Sequence, residues 1–546
     1  MSLYLGFDCS TQSLTAIVLD ATDARARVVF ESSLQFDTAL PQYRTRHGVL
    51  PPPGTGVTGV PGVAVSSPLL WADALDTMMA RVARGVDLRH LQAIAGSAQQ
   101  HGSVYMNDSA VSTLGNLDVR RAPGEQLAGC LSRAVSPIWM DSSTTVECDE
   151  IARAVGGASV LAARTGSRAF ERFTGPQIRR FYKNDPRAFA ATDRIHLVSS
   201  FLASLLAGRH APVDPGDASG TNLMDLETNA WWPPALEATA PSLARKLPPI
   251  APSWTIVGEV SRYWRERHGL PPARVVAWSG DNPCSLIGTG LVREGLIAVS
   301  LGTSDTVFGL MPEPRVDRGG TGHVFGAPTG GYMALTCFAN GSLAREGIRD
   351  AFGLTWSDFS AMLASTPAGN RGRVLLPWFD PEITPAVSVP GIRRYGLAAD
   401  DGPGNVRGVV EAQMMSMALH SQWMGVEVKT IHATGGASAN REILQVMADV
   451  FDAGVSQLAV ENSACLGAAL RARHADALAS GQRLSWDDVV RDVVRLAPWA
   501  PGPPGPSGPS GAPKASGRFE PDPSRAAVYR ELLGLYAACE AHALGR

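Results

Sequence analysis

"LGFDCSTQSLTAIVLD", residues 5–20, is the stretch on which the reading of this chain turns. Two apolar runs flank a tight cluster of one acid, Asp8, and small hydroxyl residues. The pattern predicts two strands, over 3–8 and 15–19, joined by a tight turn. Such a turn is either a plain surface hairpin or a device that aims backbone N–H groups and Ser/Thr hydroxyls at an anion. Alone, the segment favours the plain hairpin. Further on, "GLIAVSLGTSDTVFGL", 295–310, repeats the layout: apolar run, hydroxyl-rich turn, apolar run. Just before it, "RVVAWSGDNP" reads as a strand running into a Ser-Gly-Asp-Asn turn. Two such turns, each opening a lobe, suit a nucleoside triphosphate held between them. The echo is one of pattern at low identity, and it suggests a duplicated α/β unit joined near residues 265–273.

Bulk properties agree with a two-domain reading. At 546 residues the chain exceeds one typical core. A hydrophobic fraction of 45% and a charged fraction of 18% describe an ordinary globular chain. The net charge of −3 gives no electrostatic case for nucleic acid or an anionic membrane. Seven cysteines lie scattered, none in CxxC spacing, which suggests reduced thiols in a cytoplasm. No basic segment followed by an apolar run opens the chain, so no secretory signal is expected. No uncharged apolar run reaches the roughly 18–20 residues of a membrane span. Monomer and homodimer both stay open.

Strand-like and helix-like segments alternate, which favours α/β. Helices are expected around 71–84, 145–155 and 196–207. Residues 41–68, rich in Pro and Gly, read as a long surface excursion. Val406, Val409, Val410, Gln413, Met414, Met417 and Ala418 fall at helical spacing, a stripe best read as core packing. Residues 501–517, "PGPPGPSGPSGAPKASG", hold too few Gly triplets for a collagen helix and read as an extended linker. A last helix is expected over 524–544.

Several segments can carry chemistry. In "IHATGGASANREILQVMADVFDAGV", 431–455, a strand should end at Gly435-Gly436, where a flat ring can approach the backbone. Asn440 can cap the helix that follows. No GxxxxGK[ST] P-loop occurs. Asp281, just past a strand, sits where α/β sheets present ligand groups, and it can accept a proton from a hydroxyl in phosphoryl transfer. Asn282 can bind a neighbouring hydroxyl. The same Asp-Asn-Pro run also serves as a simple Asx turn. "SAQQHGSVY", 97–105, places Gln100 and His101 beside a glycine after an expected strand over 91–96. Neither a Ser/His/Asp order nor His/Glu zinc spacing accompanies that histidine. Asp141 and Arg172 are equally readable as polyol ligands, as surface charges or, for Asp141, as a helix cap.

Taken in order, "QQHGS", "PIWMDSSTT", "GSRAFERFTG", "SGDNP", "AVSLGTSDT" and "ATGGASANREILQVMADVFDA" resemble the FGGY family of carbohydrate kinases over nearly the whole chain. The resemblance implies an α/β fold of two ribonuclease-H-like lobes, of the actin and sugar-kinase class, with an interdomain cleft. It implies a sugar-binding lobe over 1–270, an ATP-binding lobe over 271–500, the linker over 501–517 and a C-terminal helix over 518–546 packed on the second lobe. The implied activity is ATP-dependent phosphorylation of an open-chain ketopentose, D-xylulose, at its 5-hydroxyl. Asp281 would be the general base, with His101, Arg172, Asp281 and Asn282 around the sugar. Asp8, Thr11, Gly302, Thr303, Ser304, Trp356, Gly435, Gly436 and Asn440 would bind ATP, and Asp8 would hold Mg²⁺, directly or through water. Kinases of another ketose or polyol (ribulose, L-xylulose, fructose) and a non-catalytic nucleotide- or sugar-binding relative are the alternatives.

One departure stands out. The family commonly has Lys or Arg at the place of Thr15, and "SLTAIV" supplies no cation there.

Overall fold

The computed structural model describes residues 2–22, 25–51, 61–459, 462–494 and 517–546. The opening stretch forms the expected hairpin. Strands Leu3–Cys9 and Ser13–Asp20 pair antiparallel with Leu3 opposite Asp20 and Cys9 opposite Leu14. Every residue from Leu14 to Asp20 is buried. The strand therefore lies in a core, and its uninterrupted apolar run reflects burial on both faces. Arg27–Gln35 extends the sheet antiparallel on one side. On the other, Leu91–Ala98 and then Arg274–Val276 run parallel, with Ile256–Glu259 antiparallel at the edge.

The second hairpin, Leu296–Leu301 with Asp305–Met311, repeats this plan. Tyr332–Phe338 neighbours its second strand. Thr430–Thr434 and Gly454–Gln457 run parallel beside its first, and Arg518–Phe519 closes that side antiparallel. Two sheets thus share one strand order, down to the antiparallel edge. The duplication suggested by the two quoted turns is met in topology, as is the ribonuclease-H-like plan.

The described chain divides into two compact units along bounds other than the sequence ones. The first takes the described residues of Met1–Val292, Val324–Met333 and Glu461–Val494, and the second takes the remainder. Asp281–Gly288 and Ser463–Ala479, both placed in the second lobe by sequence, belong to the first unit because they pack on each other and on its sheet. Their crossing is set by glycine. A Cβ on Gly288 would lie 1.8 Å from the Ser463 carbonyl oxygen, and one on Gly467 would lie 1.9 Å from that of Cys284.

Helices Pro68–Gly85, Thr145–Ala154 and Val198–Ala207 occupy their expected places. The methionine stripe is core: Met414, Met415 and Met417 of helix Gly402–Ser421 are buried. In the second unit the last helix, Pro523–Ala543, is tied down by a buried knot. Tyr529 donates to Glu411 at 2.7 Å, and Arg407 bonds both. The linker over 501–516 and positions 52–60 of the 41–68 excursion lie outside the described residues. Among the described residues no helix is long and apolar enough to cross a membrane.

Candidate active site

Strand register assembles the first part of the site. Ser33, Thr15, Asp8, Ser97 and Ser279 stand opposite one another across five neighbouring strands. Paired residues project to the same face, so the row forms a polar line across an otherwise apolar sheet. Asp8 sits in its middle, half-buried, and accepts from Ser97 Oγ at 2.7 Å. Burial raises the Asp8 carboxyl above its ordinary value, and the Ser97 bond only partly offsets this. Thr15, where a cation was expected, lies directly opposite Asp8. It is buried and donates to Ser33 Oγ at 3.1 Å.

Asp281 opens the helix Asp281–Gly288 rather than a turn, with Gly280 as its cap residue. Pro283 suits that first turn, since its fixed φ is helical and its missing N–H would have had no partner. The chain approaches through Ser279–Gly280, which pairs parallel with the end of Leu91–Ala98. This delivers the carboxylate to the carboxyl end of the sheet, where such folds bind ligands. Its carboxyl is raised to about 7, first by burial and then by the charge of Asp8, against N–H donors from Asn282, Asp281 itself and Gln100. Asn282 donates from Nδ2 to Asp281 Oδ1 at 3.1 Å and to Gln100 Oε1 at 2.8 Å.

His101 is joined to the same strand end and adopts φ +72°, a conformation uncommon outside glycine. Its Nδ1 lies 2.7 Å from the Gly220 carbonyl oxygen, which can only accept, so Nδ1 carries the proton and Nε2 is an acceptor. Burial, with Arg172 nearby, lowers its value to about 3. The ring is therefore neutral across the working pH range. It stacks on Phe173, centroids 4.4 Å apart, and Arg172 lies over Phe170 and Phe173. His101, Arg172, Asp281 and Asn282 thus gather in the first unit, with Asp8 acting electrostatically on Asp281. Thr11 stands beyond the first strand and accepts from Trp139 Nε1 at 2.7 Å. Asp141 is neither a surface charge nor a simple cap. It is buried and accepts from Ala64 N, Ser143 N and Gln177 Nε2 at 2.8–3.0 Å, bonds that shape the loops around it.

The second unit gathers the remaining candidates. Thr303 and Ser304 are exposed at the tip of the second hairpin, next to Gly302. Gly435 has φ +82°, and a Cβ there would meet the Leu301 carbonyl oxygen at 2.5 Å, so the strand end Thr430–Thr434 abuts that hairpin. A Cβ on Gly436 meets nothing within 4 Å, leaving its backbone open to a flat ligand. Asn440 caps helix Arg441–Phe451, its Oδ1 accepting from Glu442 N and Ile443 N. Its Nδ2 donates to Ser360 Oγ at 2.8 Å, one turn from Trp356 at the start of Trp356–Ser365. Trp356 is 43% exposed, with the Arg349 guanidinium 4.6 Å from its ring centroid and Phe359 against it edge-on.

Arg345 is not marked by the sequence, and Gln100 is marked there only as a neighbour of His101; both act as supports. Arg345, buried, braces the second turn with a fork onto Asp305 at 3.0 and 3.2 Å and a bond to Gln413 at 2.9 Å. Gln100 joins Asn282 to Gly216. No local signal betrays either role, because the partners stand 40 to 182 positions away.

Residues 128–288 match the FGGY family of carbohydrate kinases, N-terminal domain, and residues 297–475 its C-terminal domain. Xylulose kinase of Rattus norvegicus is 41% identical over 99% of this chain and 97% of its own. Xylulose kinase 2 of Arabidopsis thaliana is 42% identical over 87% of each. In structure, xylulose kinase from Rhodospirillum rubrum superposes with a TM-score of 0.78 over 99% of both chains at 21% identity, a likeness of fold. With both halves of the family pattern present, relatives matched nearly end to end and the fold repeated in each unit, the chain belongs to the FGGY family of carbohydrate kinases.

Proposed function

We propose that this kinase transfers the γ-phosphoryl group of ATP to the 5-hydroxyl of D-xylulose, giving ADP and D-xylulose 5-phosphate. The observation that carries the reading is Asp281: a carboxylate at a sheet's carboxyl end, its pKa brought to about 7, beside Asn282 and with His101 at the neighbouring strand end. Relatives named xylulose kinase supply the choice of sugar.

In this reading Asp281 takes the hydroxyl proton as the sugar oxygen bonds to the γ-phosphorus and the bond to the ADP oxygen breaks. A base near 7 is well matched to that task at neutral pH. Neutral His101 accepts a sugar hydroxyl at Nε2, Arg172 donates, and Asn282 fixes a neighbouring hydroxyl. Catalysis then rests on positioning and charge neutralisation. Trp356, Gly435, Gly436 and Asn440 receive the adenosine, and Thr11, Gly302, Thr303 and Ser304 the phosphates.

Mg²⁺ fits the residues present. Burial raises the Asp8 carboxyl, and burial together with the charge of Asp8 raises that of Asp281, a cost that a bound cation relieves. Among the described residues no trio of ligating side chains forms a cage. Magnesium bound with a nucleotide needs only one or two carboxylates, the phosphates and water supplying the rest. Asp8 would hold it, and bound there it neutralises charge on the phosphates. Seven free cysteines suit a reducing cytoplasm.

The test is ADP release over a panel of D-xylulose, D-ribulose, L-xylulose, D-fructose and polyols. D-xylulose should give the highest kcat/KM. A higher value for another sugar, or ADP release that no sugar stimulates, overturns the assignment.

A further inference from the structure

Gln100 sits at the centre of a hydrogen-bond chain that leaves no choice of orientation. It is 3% exposed and packs against Gly280, where an added Cβ would lie 2.4–2.7 Å from its side chain. Its Nε2 donates to the Gly216 carbonyl oxygen at 3.2 Å. A carbonyl oxygen only accepts, so the amide group must face it and Oε1 must face the other way. Oε1 meets Asn282 at 2.8 Å and can only accept, so Asn282 presents Nδ2 there. The same Nδ2 reaches Asp281 Oδ1 at 3.1 Å. Both hydrogens of the Asn282 amide are thereby committed inward, and its Oδ1 is the atom left for a ligand.

We propose that Gln100 is a positioning residue that sets the polarity of Asn282, so that Asn282 offers the sugar an acceptor and selects a hydroxyl that donates to it. This rests on the reading of Asn282 as a sugar ligand. Gly216 is the anchor: the main chain of helix Pro215–Ala218 fixes Gln100, Gln100 fixes Asn282, and the backbone N–H of Gln100 also holds the Asp281 carboxylate. Without Gln100 the Asn282 amide can turn over and present a donor. A buried site that offers the wrong partner leaves groups unpaired and loses discrimination.

The test is a double-mutant cycle on the dissociation constant of D-xylulose, measured by calorimetry without ATP. Gln100→Met keeps length and burial and removes both amide bonds. It should weaken D-xylulose about 10-fold or more in the natural background and less than about 3-fold in Asn282→Ala, with the KM for ATP unmoved. No weakening by Gln100→Met while Asn282→Ala does weaken binding overturns the inference and spares the sugar reading. Equal weakening in both backgrounds also overturns it. No weakening by Asn282→Ala overturns the sugar reading of Asn282, and the inference with it. Should Gln100→Met lose its melting transition, Gln100→Glu replaces it. A protonated Glu can donate to Gly216 and accept from Asn282, whereas its anion cannot donate. Its D-xylulose affinity should therefore fall, relative to the natural chain, from about pH 5.5 to about pH 8.5. An unchanged ratio overturns the inference.

Discussion

Replacing Asp281 by Asn should make the enzyme both slower and more stable, and the two effects have separate pH signatures. The carboxyl is raised from 3.8 to about 7, chiefly by burial and then by Asp8. Below about pH 4 the group is protonated in the folded and unfolded chains alike, and it contributes no difference. Between about pH 4 and 7 the folded protein holds a proton that the unfolded chain has released, so stability falls as pH rises. Above about 7 the loss is complete. At about 1.4 kcal/mol per pH unit the full cost is at most about 4 kcal/mol, and solvent reaching this half-buried group brings it below that. Asn keeps one oxygen to accept from Asn282 N and Nδ2 and carries no charge. Asp281→Asn should therefore raise the melting temperature by a few degrees at about pH 8.5 and hardly at all at about pH 4.5. It should also lower kcat by about 10²–10⁴-fold, the usual worth of a general base. Calorimetric melting at both pH values, with ADP release at pH 8, reads all of it. Unchanged turnover, or a stability change equal at the two pH values, would refute the role given to this carboxylate.

Three further outcomes follow from the geometry. Gly435→Ala forces a side chain onto φ +82° and into the Leu301 carbonyl oxygen, so its melting temperature should drop, whereas Gly436→Ala meets open space and should melt normally while raising the KM for ATP. Melting curves and ATP titrations compare the pair. His101 has a value of about 3, so between about pH 5 and 8 its protonation should leave no mark on D-xylulose binding; an affinity change tracking a histidine near 6.5 in calorimetry, absent in His101→Asn, would show the ring to be charged. Tyr529→Phe leaves Glu411 and Arg407 short of a buried partner and should cost about 1–3 kcal/mol in denaturant unfolding with kcat little changed.

Sequence made the two hairpins, the strand-to-glycine end at Gly435 and the capping by Asn440 legible, because each is written in residues a few positions apart. The duplicated sheet followed from two short echoes of pattern. What stayed hidden lies in long-range pairing. Asp141 and Arg172 each had a functional and a bland reading, and only the fold shows Asp141 spent on loop backbone. The local sequence around Asp281 fits a turn or a base equally, but the proximity of Asp8 comes from a residue 273 positions away. The division into compact units is hidden for the same reason: Gly288 and Gly467 announce nothing until their helices cross. Thr15 is sharpened. It faces Asp8 squarely and is tied to Ser33, so the phosphates gain no cation from that position.

Phosphorus–proton correlation NMR on the product formed from ATP and D-xylulose tests the central claim most directly. The account predicts one new phosphate ester whose phosphorus couples to the two protons on C5, formed by the natural chain and absent with Asp281→Ala. An ester on another carbon, inorganic phosphate in place of an ester, or the same C5 ester at an undiminished rate from Asp281→Ala would contradict it.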